Sequence, residues 1–143
     1  MYPTTAALGT ALQRLKRFSI NDNELIIDAQ SELEIAYGLM NNRWKIHYSI
    51  FWNHSNAKVR HTVLAKMQGI AFDAKTSLVE AGSLLNAYSD RYAISDEDIN
   101  NWCEIIQNLN NANRWMIRDY CDSDFKQLKL LIFEQNSKRS ELW

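Results

Sequence analysis

The chain has 143 residues and a mass of 16.7 kDa, the size of one domain, and can bury a core without a disulfide or metal staple. Its four glycines and one proline are about 3.5% of the residues against an average near 12%, too few turn formers for a sandwich or barrel and far from collagen-like or Pro/Gly-rich disordered chains. Sixteen basic and seventeen acidic residues leave a net charge of -1, so no global field draws the chain to nucleic acid or an anionic membrane.

What remains is an all-α, single-domain bundle of five or six helices spanning residues 1–143. Thr4 or Thr5 caps a first helix to about Phe18, striped by Ala7, Leu8, Ala11, Leu12 and Leu15. Asn21 or Asp22 opens a second, whose Ile26, Ala29, Leu33, Ala36, Tyr37 and Met40 recur at threes and fours until Asn41-Asn42 ends it. The stretch Trp44 to Trp52 alternates like a strand and also fits a helix. A lone strand has no partner in this chain, which decides for helix.

From Ala57 the pattern is long: Val63, Met67, Ile70, Ala74, Leu78, Ala81, Leu85, Tyr88 and Tyr92 predict one central helix over about 57–92. Its length of about 54 Å exceeds a domain radius of gyration near 15 Å. It must therefore overhang the body or bend at Gly69 or Gly82. Ser95 and Asp98 then form a capping box with Asp in place of Glu, opening a helix with Ile99, Trp102, Cys103, Ile106 and Leu109. Two further helical pieces are expected over about 113–121 and 124–136.

The chain also resembles itself. Arg17 to Leu25 reads against Arg91 to Ile99, Gly9 to Gln13 against Gly82 to Asn86, and Asn42 to Ile46 against Asn113 to Ile117. Two repeat units, about 8–52 and 81–125, would follow. A true duplication would place Arg43-Trp44 and Arg114-Trp115 at matching points of a pseudo-two-fold fold.

Charge is segregated although its sum is small. No acidic residue lies between Glu34 and Asp73, a window holding Arg43, Lys45, Lys58, Arg60 and Lys66 with Trp44, Tyr48, Phe51 and Trp52 interleaved. His47, His54 and His61 are spaced by seven, so helical neighbours stand about 10.5 Å apart, too far to share one metal ion. Asp119, Asp122 and Asp124 lack the glycine and distal glutamate of a calcium loop. No nucleophile elbow, P-loop, dinucleotide fingerprint or HExxH motif is present. No cofactor and no metal are expected, and the chain reads as no enzyme. Cys103 and Cys121 read as two buried thiols in a reducing cytoplasm. The longest purely apolar run is Leu130 to Phe133, far short of a bilayer span, and no secretory signal is recognisable. The fourteen asparagines fit an AT-rich genome such as a mobile element carries.

These features point to a small non-enzymatic helical binding protein, a regulator or inhibitor that docks on another macromolecule, most readily a protein. Tryptophan is favoured at interface hot spots, which makes Trp44, Trp52 and Trp115 the anchors and Arg43, Lys45 and Arg114 the polar rim. The alternative is a nucleic-acid binder using segment 43–66, where Lys58 and Arg60 meet phosphates and rings stack on bases. A homo-oligomer joining the acidic ridge of Glu24, Asp28 and Glu32 to the basic window is a further reading.

Overall fold

A computed structural model of the chain describes residues 3–116, which are helical apart from short turns and contain no strand. Helix α1 runs Pro3–Lys16. Pro3 stands at its first position, where a missing N–H costs nothing, and the expected caps Thr4 and Thr5 lie inside the first turn, each 1% exposed. Helix α2, Glu24–Gly38, is capped by Asn23, whose Oδ1 accepts from the Leu25 N–H at 2.9 Å.

Asn41-Asn42 does not end the second helix. The chain passes through a π-helical segment, Leu39–Trp44, straight into α3, Lys45–Asn53. The spacing of the inward residues explains this. Ala36, Met40 and Trp44 are buried and Tyr48 half-buried, each four residues after the last. In an α-helix every such step overshoots by about 40°, and a wider π turn absorbs the excess. One rod of about 45 Å therefore replaces two of the expected helices.

The turn His54–Asn56 reverses the chain. His54 Nδ1 accepts from the Asn56 N–H at 3.1 Å, and Asn56 Oδ1 caps the next helix through Lys58 N–H at 2.9 Å and Val59 N–H at 3.3 Å. Helix α4, Ala57–Arg91, is helical along all 35 residues, with no break at Gly69 or Gly82. It does not stand alone over its length, because α2, the π segment and α3 all lie along it. Helix α5 runs Ile99–Met116 and packs on α1, which also touches α2. The piece expected to begin at 113 is, as far as Met116, the continuation of α5. The rest of it, the 124–136 helix, Cys121, and Asp119, Asp122 and Asp124 lie outside the described residues. Four helical rods thus make up residues 3–116. None of them is long and apolar enough to cross a membrane.

The core is continuous. Leu8, Ala11 and Leu15 of α1, Ala29, Leu33 and Ala36 of α2, Ala71, Ala74 and Leu85 of α4, and Ile105 and Ala112 of α5 are all buried. Gly9 has a specific reason to be glycine: a Cβ there would meet the Tyr37 ring at 3.0 Å, so the ring lies directly on the α1 backbone. Gly82, its counterpart in the proposed repeat, has nothing within 4 Å. The aligned turns also diverge, since Phe18 is 2% exposed while Tyr92 is 47% exposed. The repeat in sequence is therefore not matched by common roles at these positions.

One buried carboxylate joins the two turns. Asp98, 5% exposed, caps α5 through its carbonyl, which accepts from Trp102 N–H at 2.8 Å. Its side chain accepts from the Ser19 hydroxyl, from the Ser19 N–H at 3.3 Å and from the Ser95 hydroxyl at 3.2 Å. Beside it Phe18, Tyr88 and Trp102 pack as a triangle with ring centroids 5.6 to 5.9 Å apart. Across α1 and α5, Asn101 Nδ2 donates to the Arg14 carbonyl at 2.8 Å. The half-exposed Arg14–Glu104 ion pair contributes at most about 1 kcal/mol.

Asp98→Ala removes the carboxylate that accepts both Ser19 donors and the Ser95 hydroxyl, and urea unfolding should show a loss of about 1–3 kcal/mol. Combined with Ser19→Ala the loss should be clearly less than additive, because both changes break one network. Tyr88 supplies a pH signature. Burial, then the charges of Asp98, Tyr92 and Asp22, raise its pKa above the ordinary 10.0. The folded state keeps this proton while the unfolded chain releases it. Stability is therefore unaffected below about pH 10 and falls as pH climbs beyond. Denaturant midpoints taken from pH 8 upward should fall less steeply in Tyr88→Phe than in the parent.

Candidate macromolecular interface

The basic-aromatic window is built from two elements and the turn between them: the π segment with α3, and the first turns of α4. α3 is held inward by its aromatic side. Trp44 and Tyr48 stack with centroids 5.0 Å apart and planes 18° from parallel, Trp52 packs edge-to-face with Tyr48 at 5.9 Å and with Phe51 at 5.1 Å, and Phe51 is 1% exposed. Placing these rings toward α4 turns the opposite face of α3 to solvent. That face carries Lys45, Ile46, Ser49, Ile50 and Asn53, all exposed.

Two expected contact residues are not on the surface. Trp44 is 3% exposed, since it falls in phase with Met40 and Tyr48 on the inward stripe. Arg60 is 0% exposed, in phase with Val63, Leu64 and Met67. Its Nε donates to the Phe51 carbonyl at 2.9 Å and its guanidinium sits 4.7 Å from the Phe51 ring centroid. Phe51 lies in the last turn of α3, where carbonyls lack helical partners and a cation meets the negative end of the helix dipole. Arg60 is thus the latch of the α3–α4 hairpin, and Trp44 is part of its core.

The other expected residues divide into two places. Arg43 and Lys45 are exposed on the π segment and α3, Lys58 is exposed in the first turn of α4, and Trp52 is half-buried in the last turn of α3. Arg114 is exposed and Trp115 half-buried on α5, and α5 makes no contact with α3. Arg114 instead borders an open groove of about 500 Å³ with Trp102, Ile106 and Asn110. Cys103 also lies there and is exposed, not buried, because the inward stripe of α5 is Trp102, Ile105, Leu109, Ala112 and Met116. The repeat's Arg-Trp pairs accordingly differ, one tryptophan being buried and the other half-buried.

The histidines act locally. His47 Nδ1 is 2.7 Å from the Arg43 carbonyl, and His54 shapes the turn before α4. Among the described residues no group of three His, Cys, Asp or Glu side chains gathers to hold a metal. What the sequence reading missed is Ile46 and Ile50, 58% and 39% exposed and one turn apart. Their four-residue spacing, out of phase with Trp44, Tyr48 and Phe51, was the available signal.

No protein-family model matches the chain, no curated protein is significantly similar to it, and no solved structure matches its fold at a significant level. The surface chemistry therefore carries the functional reading unaided.

Arg60→Ala removes a buried latch and leaves the Phe51 carbonyl without its donor. Thermal or urea unfolding should register a loss of about 2–3 kcal/mol. Lys45→Ala and Lys58→Ala, at exposed positions, should stay within about 0.5 kcal/mol of the parent.

Proposed function

We propose that the chain is a small non-enzymatic binding protein of the cytoplasm, a regulator or inhibitor that acts by occupying a surface of another protein. The contact is carried by the outer face of α3 with the adjoining π segment and the start of α4. The observation behind this reading is the pair Ile46 and Ile50, which α3 holds in solvent although each would gain from burial. Arg43 and Lys45, both exposed, stand on the same rod as the pair, and Lys58 is exposed in the first turn of α4. No acidic side chain occurs from residue 35 to residue 72 to offset these cations. An apolar pair beside cations fits a partner with an apolar patch bordered by Asp and Glu. Trp52 would lie at the margin of such a contact, and Arg114 with Trp115 forms a separate patch that this reading does not require.

The nucleic-acid alternative rests on the same cations, but stacking on bases needs open ring faces. Phe51 and Trp44 are buried, Tyr48 gives a face to Trp44, and Trp52 packs edge-to-face with Tyr48 and with Phe51. That weighs for a protein partner.

A photo-crosslinking residue at Ile50 in the native host should give one dominant adduct with an acidic protein. Ile46→Glu or Lys45→Glu should reduce it about tenfold or more, the effect expected at an interface centre. Labelled single- and double-stranded oligonucleotides should not bind at roughly 50 mM salt. Salt-steep oligonucleotide binding that weakens in Arg43→Ala or Lys58→Ala would establish the alternative. An adduct indifferent to Ile46→Glu would remove the α3 face from the contact.

A further inference from the structure

The buried side of α4 accounts for one stripe of its residues, and a second stripe runs down the opposite side. Thr62, Ala65, Gly69, Phe72, Thr76, Val79, Ser83 and Asn86 are all exposed, and they alternate by three and four residues, the spacing of a coiled-coil seam. The stripe carries no charge. Phe72 and Val79 are 58% and 49% exposed. The hydroxyls of Thr62 and Thr76 donate at 3.0 Å to the carbonyls of Lys58 and Phe72, so each can turn its methyl outward. Gly69 has open space where a Cβ would stand. Beside the C-terminal half of the stripe, a cleft of about 220 Å³ lined by Val79, Gly82, Ser83 and Asn86 lies open between α4 and α5.

We propose that this face of α4 pairs with the same face of a second copy of the chain, the two α4 helices running antiparallel about a two-fold axis near residue 74. The occupant is identified by self-complementarity. In the antiparallel register that sets Phe72 against Thr76 of the second copy, Gly69 receives Val79 and Ala65 meets Ser83, so each of the two large side chains faces a smaller one and the outer level is small on both sides. The same register puts Lys58 against Asp90 and Lys66 beside Glu80, each pair occurring twice by symmetry. All four side chains are exposed, and among the described residues none forms an ion pair within its own chain. Only Asp73 and Lys75, flanking the axis, meet their own kind. A parallel in-register pairing would set Lys58 on Lys58 and Asp90 on Asp90 at the ends of the seam, so these charges favour the antiparallel arrangement. Ile46, Ile50, Arg43 and Lys45 are not on this face, so a dimer leaves them in solvent; of the cations assigned to the partner contact, Lys58 alone lies in the seam.

Sedimentation equilibrium of the full chain under reducing conditions tests this. The seam is narrow, with two large apolar side chains per copy, so a monomer–dimer equilibrium is expected with Kd on the order of 10 μM. Phe72→Glu should weaken it at least about tenfold while far-UV dichroism keeps the parent helicity. Lys66→Glu alone and Glu80→Lys alone should each weaken it about fivefold, and the double variant carrying both should return to the parent Kd. Ile46→Glu should leave the dimer unchanged. A chain that stays monomeric to about 500 μM, a dimer indifferent to Phe72→Glu, or a double variant that fails to recover would each overturn the proposal.

Discussion

Three steps of four residues, from Ala36 through Met40 and Trp44 to Tyr48, set the register on which the hairpin depends. A regular α-helix would carry the stripe about 120° around its axis over those steps. Trp44 and Tyr48 would then turn away from α4, and Arg43 and His47 would point toward it. The π segment prevents this by widening the turn where the drift accumulates. Because α3 stays on α4, Phe51 reaches the place where Arg60 can bond its carbonyl. The reversal at His54–Asn56 then closes against a fixed end. The long α4 finds cover along its inner side for the same reason. An overhanging arm and a kinked helix both suppose that α4 lacks a partner of matching length, and the fused rod supplies one.

The two ends of the hairpin are each fastened by a buried charge, and both charges bond backbone groups at chain turns. Arg60 meets an orphan carbonyl at the end of α3, and Asp98 meets the Ser19 N–H in the α1–α2 turn. Burying either ion without partners would be costly. The hydrogen bonds offset that cost and give each contact a single geometry, which apolar packing alone does less well. A consequence is that net charge describes the surface poorly here. Removing Arg60 from the exposed set leaves a basic window whose solvent-facing cations are Arg43, Lys45, Lys58 and Lys66, with apolar Ile46 and Ile50 among them.

Where local chemistry and period agreed, the fold could be read from the residues. α4 ends within one residue of expectation because Asn56 is a strong cap and its inward stripe is unbroken from Val63 to Tyr88. The failures came from letting residue type outrank phase. Asn41-Asn42 has the composition of a helix end, yet neither side chain bonds a carbonyl there, and the apolar stripe continues past both. Arg60 and Trp44 suit an interface by type, while their phase with Met67 and Met40 places them inside. Cys103 follows Trp102 by one residue and so falls off the stripe that Ile105 and Leu109 continue. Sequence offered Asp98 only as the partner of Ser95, a bond that is present; its bonds to Ser19 lay beyond reach because Ser19 is 79 positions away.

Phase also explains why the outer face of α4 goes unnoticed in the sequence. Ala, Gly, Thr, Ser and Asn look like an ordinary solvated side, and only two large residues interrupt them. Their spacing becomes visible once the inner stripe has been assigned and subtracted. A partly ordered helix would lose conformational freedom on acquiring a partner. α4 is already fixed by packing along its whole inner side, so covering its outer side orders little more than a few side chains. Rigidity imposed from within thus lowers the free-energy cost of association from without. In this chain that rigidity traces back to the π turn, which brings α2 and α3 onto α4 together.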